Sequence, residues 1–405
     1  MGARIILTGV LAVAVATASC GNSDDSDGFV PPVDPGPGGI LFTASGGLPA
    51  VTGYPFPPAN AGDVAFVDGW QLDFSRLLVT FDNLTLSETP DLSGSDPSAT
   101  GNLVAQVNGP WAIDLAYQGS GDLAGEGPPG ERAVAITAIT SQNRNGDKPF
   151  ATDGTRYALG FDVVAATASA RAVNLDAGAA ADYQQMIQDG CAVLYVGTAT
   201  FQGGSVPGFT GCNVGHESWP TVVPFRLCFK SPATYANCQN PENDPTLPVA
   251  GEQSARGVSF AANDSIVGQL TMRPDHPFWD SVLPDSPPHF DQLAARLVGE
   301  PDVPADDPTG AVTLEMTQGI DFAAYTDAGG HALSWRACLQ APTDAHDVFS
   351  GPMAFDPQTV PRAVAGDPST GLRDYYDFAT YDQSTQWTLN DDGRCAVTRH
   401  YPSPP

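Results

Sequence analysis

The stretch Trp70–Ser87 limits what this chain can fold into more than any other. Trp70-Gln71-Leu72-Asp73-Phe74-Ser75 alternates apolar and polar side chains, the pattern of a strand with one wet face. Leu77-Leu78-Val79-Thr80-Phe81 runs nearly solid, as a strand covered on both faces does. Val67-Asp68-Gly69-Trp70 reads as a turn ahead of it. Segments 63–68, 102–107, 111–117, 132–140, 155–166, 191–201, 222–229 and 256–272 share the β character. Clusters of Gly, Pro, Asp and Asn at 89–100, 119–130 and 143–148 separate several of them, and the 43 Gly and 37 Pro supply that punctuation. The expectation is a mainly β protein, an antiparallel β-sandwich-like body with few short helices and long Gly/Pro-rich loops.

One helix interrupts the strands. Ala177–Asp189 is Ala-rich with apolar Tyr183, Met186 and Ile187; Asp176 is placed as its N-cap and Gly190 as its C-terminal stop. Segment 289–298 reads as a short helix and 311–316 as a strand, while 320–325 and 331–339 fit strand or helix equally. Segment 231–251 is polar and Pro-rich, and reads as a domain boundary or a long surface loop. Tyr375, Tyr376, Phe378, Tyr381 and Trp387 crowd 374–388. They either stack on sugars or cover a hydrophobic edge, and the second reading is the commoner.

The chain starts with Arg4, an apolar run from Ile5 to Ala16, and small Thr17, Ala18 and Ser19, which is the plan of a secretory signal peptide over 1–19. That run is too short to cross a bilayer, which takes about 20 residues. Thr17-Ala18-Ser19-Cys20 resembles the bacterial lipobox, and that resemblance implies a lipidated Cys20 as the mature N-terminus. Thr17 departs from the aliphatic residue usual there. Gly21 after the cysteine resembles lipoproteins sent to the outer membrane. Residues 20–39, mostly Ser, Asp, Pro and Gly, form a disordered tether. A β-sandwich-like domain is expected over 40–250, with a C-terminal β-rich portion, 251–405, packed on it.

A net charge of −29, from 46 acidic and 17 basic residues, excludes nucleic acid as a partner. It also sets the membrane partnership on acyl chains and not on attraction to anionic lipid. Of seven cysteines, six remain once Cys20 is set aside: Cys191, Cys212, Cys228, Cys238, Cys338 and Cys395. An even number in an exported chain, with no Cys-x-x-Cys pair, means disulfides. Nearest-neighbour pairing gives Cys191–Cys212, Cys228–Cys238 and Cys338–Cys395.

The densest polar–aromatic cluster is Asp275 to Asp291. Asp275, His276, Asp280, His289 and Asp291 set two imidazoles and three carboxylates close in sequence, donors suited to a divalent ion such as Zn, Cu, Fe, Ni or Mn. The plain alternative is local hydrogen bonding in a Pro-rich loop. The acidic segment 300–315 fits no register of the twelve-residue calcium loop: Gly310 sixth puts Met316 twelfth, and Glu315 twelfth leaves Thr309 at the turn. Gly-x-Ser-x-Gly, His-Glu-x-x-His and the phosphate-binding glycine loop are absent from the sequence. Gly119-Ser120-Gly121 completes no dinucleotide fingerprint. His216-Glu217 and His331 are acid–base groups in principle and surface residues by default.

Gly69-Trp70 with its alternating continuation, Trp111-Ala112-Ile113-Asp114-Leu115, 191–200, and Asp275-His276-Pro277-Phe278-Trp279-Asp280 before Phe290-Asp291 resemble uncharacterised lipoproteins of high-GC Gram-negative bacteria, over roughly 62–315. The resemblance implies more than a packing role for His276, Phe278 and Asp280, and it lends no activity. The sequence thus points to a lipid-anchored lipoprotein of the cell envelope acting as a binding or accessory module. An envelope protein is its candidate partner, and a metal or small ligand near Asp275-His276 its candidate cofactor. The alternatives are a secreted hydrolase with His/carboxylate chemistry and a purely structural envelope component. An enzyme requires a cleft where such side chains converge.

Overall fold

The computed structural model describes residues 34–60, 62–116, 133–141, 149–203, 218–243, 252–302, 304, 310–321, 323–336, 338–339, 351–355, 372 and 374–400. The signal peptide, Cys20, Cys212, His216-Glu217 and Gly119-Ser120-Gly121 lie outside them. The strands are β1 (Ile40–Ser45), β2 (Trp70–Ser87), β3 (Leu103–Val107), β4 (Trp111–Asp114), β5 (Val134–Ile139), β6 (Arg156–Val163), β7 (Arg171–Ala172) and β8 (Val193–Phe201). They continue with β9 (Val222–Phe229), β10 (Ala233–Ala236), β11 (Val258–Ser259), β12 (Ile266–Met272), β13 (Val312–Thr313), β14 (Trp387–Leu389), β15 (Gly393–Arg394) and β16 (Ala396–Arg399). The α-helices are α1 (Gly47–Thr52), α2 (Ala177–Asp189), α3 (Asp291–Ala294) and α4 (Tyr375–Gln383).

β2 organises the larger sheet. One edge pairs antiparallel with β8 over Trp70–Val79 and then with β6 over Phe81–Ser87. The other edge takes β4 and then β3. The hand-over falls at Asp82-Asn83, where the register shifts and Asn83 turns left-handed (φ 53°). Asn tolerates that conformation better than most residues do, and bulges bend a strand. In the alternating half, Trp70, Leu72 and Phe74 are buried while Asp73 and Ser75 are exposed. In the solid half every residue from Leu77 to Phe81 is buried. The second cover is α2: Leu78 packs with Tyr183 and Met186, and Thr80 hydrogen-bonds the Tyr183 hydroxyl at 3.0 Å.

The α2 bounds and caps match the sequence reading. The Asp176 carboxylate accepts from Ala179 N, and Gly190 ends the helix in the left-handed region (φ 74°). The turn before β2 is present too. Gly69 has φ 99°, and an added Cβ would meet Cys338 Sγ at 2.8 Å, so both backbone angle and space require glycine.

The smaller sheet runs β15-β14-β12-β1-β5. The larger runs β13-β9-β8-β2-β6-β10-β16, with β11 on β6, β3 and β4 on β2, and β7 on β4. Most pairs are antiparallel; β1–β12, β9–β13 and β4–β7 are parallel. The fold is therefore mainly β, with mixed sheets, few short helices and, among the described residues, no closed barrel. Strands after residue 251 enter both sheets. One core joins the sheets: Trp387 of β14 sits 4.9 Å from Phe81 and 6.3 Å from Phe161, ring to ring. Each such aromatic, once buried, stabilises the fold by about 2–3 kcal/mol.

Several segments differ from the sequence reading. Segment 63–68 forms no strand, although Ala65, Phe66 and Val67 are buried. Segment 256–272 is two strands with a break between them, and 289–298 is one α-turn followed by a 3-10 turn. Segment 311–316 is a two-residue strand running into a 3-10 turn. The described parts of 320–325 and 331–339 are neither helix nor strand. Within 231–251, β10 pairs with both β6 and β16. The aromatics of 374–388 cover a hydrophobic edge: Tyr375, Phe378 and Trp387 are buried, and Phe355 and Tyr325 pack on them.

The cysteine pairing is also corrected. Cys191 bonds Cys228, and Cys238 bonds Cys395. Cys338 is disulfide-bonded as well, outside the described pairs. Nearest-neighbour logic fails because β8 and β9 run antiparallel, with Leu194 opposite Cys228, which returns the chain to Cys191. Cys238–Cys395 ties the C-terminal strands to the end of β10 across 157 residues. Disulfides persist in oxidising compartments, so the folded body belongs to an exported, oxidising setting. Among the described residues no helix is long and apolar enough to cross a membrane.

Candidate functional site

The chain leaves β12 through Arg273-Pro274 into a 3-10 turn over His276–Phe278, with Pro277 fixing its backbone. This turn directs Asp275 and His276 to different partners. Asp275 Oδ1 accepts from the Tyr54 hydroxyl at 3.2 Å, and Oδ2 accepts from Trp279 Nε1 at 2.9 Å. His276 Nδ1 lies 2.8 Å from Thr385 Oγ1, and its ring packs on Trp279 at 3.7 Å. The Thr385 hydroxyl donates its one proton to the Asp382 carbonyl, so it accepts from His276, and Nδ1 carries the proton. Burial lowers the His276 pKa to about 4, leaving the ring neutral.

Asp280, His289 and Asp291 belong to a second cluster, which the sequence reading joined to the first. His289 is placed by its N–H to the Phe278 carbonyl. Its Nε2 lies 3.5 Å from Asp280 Oδ2 and its Nδ1 lies 4.0 Å from Asp68 Oδ2, with Trp335 against its face at 4.2 Å. Asp68 Oδ2 accepts from the N–H groups of Phe290 and Asp291 at 2.7 and 2.8 Å, which fixes the start of α3. Asp291 takes Trp70 Nε1 on Oδ1 at 2.8 Å and the Arg336 guanidinium on both oxygens. Arg336 is in turn held between the rings of Phe201 and Trp219. Burial, and then the charge of Asp68, push the Asp291 carboxyl upward; the hydrogen bond from the Trp70 indole opposes that. Burial draws Arg336 down to about 9, still protonated at neutral pH. Asp382, raised by burial, adds a fourth buried carboxyl, whose oxygens have no hydrogen-bond partner among the described residues.

Both readings of these residues require access, and the structure limits it. Asp68, His289 and Asp291 are 0 % exposed and Asp280 is 1 % exposed. No substrate oxygen can reach the His289–Asp280 pair without opening the core. The metal donors are split between two places and only partly engaged. Asp275 faces Tyr54 and Trp279, and Asp291 faces Arg336 and Trp70, while among the described residues His276 Nε2 and both Asp280 oxygens accept or donate no hydrogen bond. Among the described residues no group of three or more His, Cys, Asp or Glu side chains is placed to hold a metal ion. His331 is a surface residue, its side chain 81 % exposed beside Asp327.

Open concavity lies on the other side of Asp275. A pocket of about 240 Å³ is lined by α1, Tyr54, Val64, Thr271–Asp275 and Asp391-Asp392. As partners of the 275–291 cluster the sequence reading missed Tyr54, Asp68, Trp70 and Arg336, which are distant in the chain and carry no local spacing signal. Arg273, two residues before Asp275, was not singled out either. No family model, curated protein or solved structure matches this chain.

Proposed function

We propose that this chain is a lipid-anchored lipoprotein of the cell envelope, in the outer membrane of a Gram-negative host, and that it works as a binding or accessory module and not as a hydrolase. The observation that carries the non-enzymatic reading is the sealing of the imidazole–carboxylate cluster. A hydrolase needs its base within hydrogen-bond reach of a substrate proton, and His289 and Asp280 are closed off from any substrate. The pocket beside Asp275 supports binding, since it is open and has charged and apolar walls. Lipid attachment rests on the Thr17-Ala18-Ser19-Cys20 ending, and an envelope partner follows from that location. A resident metal ion is left out of the proposal, because among the described residues the candidate donors do not converge in a group of three or more.

The anchoring is tested by growing cells with radiolabelled palmitate and recovering the protein. Label on the wild-type chain in the membrane fraction, and none on Cys20→Ser, supports the proposal. An unlabelled wild-type chain in the soluble fraction ends it.

A further inference from the structure

The pocket where α1 meets the end of β12 has a wall too specific for a chance depression. Its volume of about 240 Å³ is below the range of about 300–1,000 Å³ for drug-sized ligands, so its occupant is small. Arg273 stands on the wall, and among the described residues its guanidinium makes no ion pair, hydrogen bond or ring contact. A guanidinium offers a planar fork of donors matched to a carboxylate. Asp275 stands on the same wall, held in place by Tyr54 and Trp279, with Asp391 and Asp392 completing an anionic side. Leu48 and Val64 line the pocket too, and both are among the few large apolar side chains exposed to solvent. Scattered exposed apolar residues are ordinary, but two converging on one charged pocket form a ledge for an apolar group.

We infer that this pocket binds a small zwitterion with an apolar side chain, of the α-amino-acid class. The carboxylate pairs with Arg273, the ammonium faces Asp275 and the neighbouring acids, and the side chain lies on Leu48 and Val64. A simple anion would meet three carboxylates, and a simple cation would meet Arg273; only a ligand with both charges satisfies both poles. The inference rests on the reading of the chain as a binding module and names the ligand class.

Isothermal titration of the full chain in detergent tests it with L-leucine, leucinamide (no carboxylate) and 4-methylpentanoate (no amine). L-leucine is expected to bind with a Kd below about 1 mM, and each of the others about tenfold or more weakly. Arg273→Gln, half-exposed and checked by its melting curve, is expected to weaken L-leucine about tenfold and to leave leucinamide binding no weaker than to wild type. No saturable binding of L-leucine, equal binding of all three probes, or an Arg273→Gln protein that binds L-leucine as wild type does would overturn the inference. Palmitate labelling is read on the same preparation. A labelled protein that ignores L-leucine refutes the ligand and keeps the anchor, and an unlabelled one that binds L-leucine does the reverse.

Discussion

Two buried groups give the stability of this fold opposing pH dependences, and separating them is a stringent test of the packing described. Asp114, in β4, is fully buried beneath α2 and the β2 sheet. Its Oδ1 accepts from Leu77 N at 3.1 Å and Ala116 N at 3.0 Å, and Arg76 Nε stands 3.7 Å from Oδ2. Burial outweighs these and raises its pKa from 3.8 to about 6. A carboxyl raised in the folded state gives stability that is complete below 3.8 and is lost as pH climbs through about 6. At about 1.4 kcal/mol per pH unit, the loss is about 3 kcal/mol. His276 acts in the other sense. Its pKa falls from 6.5 to about 4, so its contribution is complete above 6.5 and is lost, again by about 3 kcal/mol, as pH falls through about 4. Asp114→Asn mimics the protonated carboxyl at every pH. Relative to wild type, it should gain about 3 kcal/mol between pH 3.5 and 7, read from urea denaturation at a series of pH values. His276→Gln should show the opposite trend, gaining relative to wild type as pH falls. A stability difference for Asp114→Asn that stays level across this range would mean that the amides and Arg76 hold the carboxylate ionised, and the argument from burial would be refuted.

Three other substitutions probe the frame around the site. Arg336→Met strands Asp291 in the core and should cost about 3–5 kcal/mol by denaturant titration, whereas a cost near zero would show that the pair is exposed. Replacing both Cys238 and Cys395 by Ser should cost about 2–4 kcal/mol and expose the C-terminal strands to limited proteolysis; an unchanged digest would place the restraint elsewhere. Gly69→Ala puts a Cβ 2.8 Å from Cys338 Sγ at a positive φ and should cost at least about 1–3 kcal/mol in a thermal melt, and wild-type stability would contradict the turn geometry.

What could be read from the sequence was what short-range physics decides. Alternation and its collapse into a solid run gave β2 its bounds and its two environments. The Asp176 cap and Gly190 stop gave α2 its ends, because capping is a matter of a few residues. Segment 63–68 misled because Ala65, Phe66 and Val67 are apolar for burial in the core and not for a sheet ladder. The disulfides were out of reach because register between β8 and β9, not proximity in sequence, sets Cys191 against Cys228. The 275–291 cluster was found, but its division was not. Tyr54 and Trp279 take Asp275, while Trp70 and Arg336 take Asp291, from positions as far as 221 residues away. Spacing of His and Asp in one segment carries no information about those partners.

The account depends most on the closure of the cluster around His289, and histidine modification reads it directly. The folded protein is treated with diethyl pyrocarbonate and each histidine is followed by peptide mass spectrometry, with the exposed His331 as internal control. The account predicts rapid labelling of His331 and none of His289 until the protein is unfolded. Labelling of His289 at the rate of His331 in the native protein would open the core to substrate and contradict it.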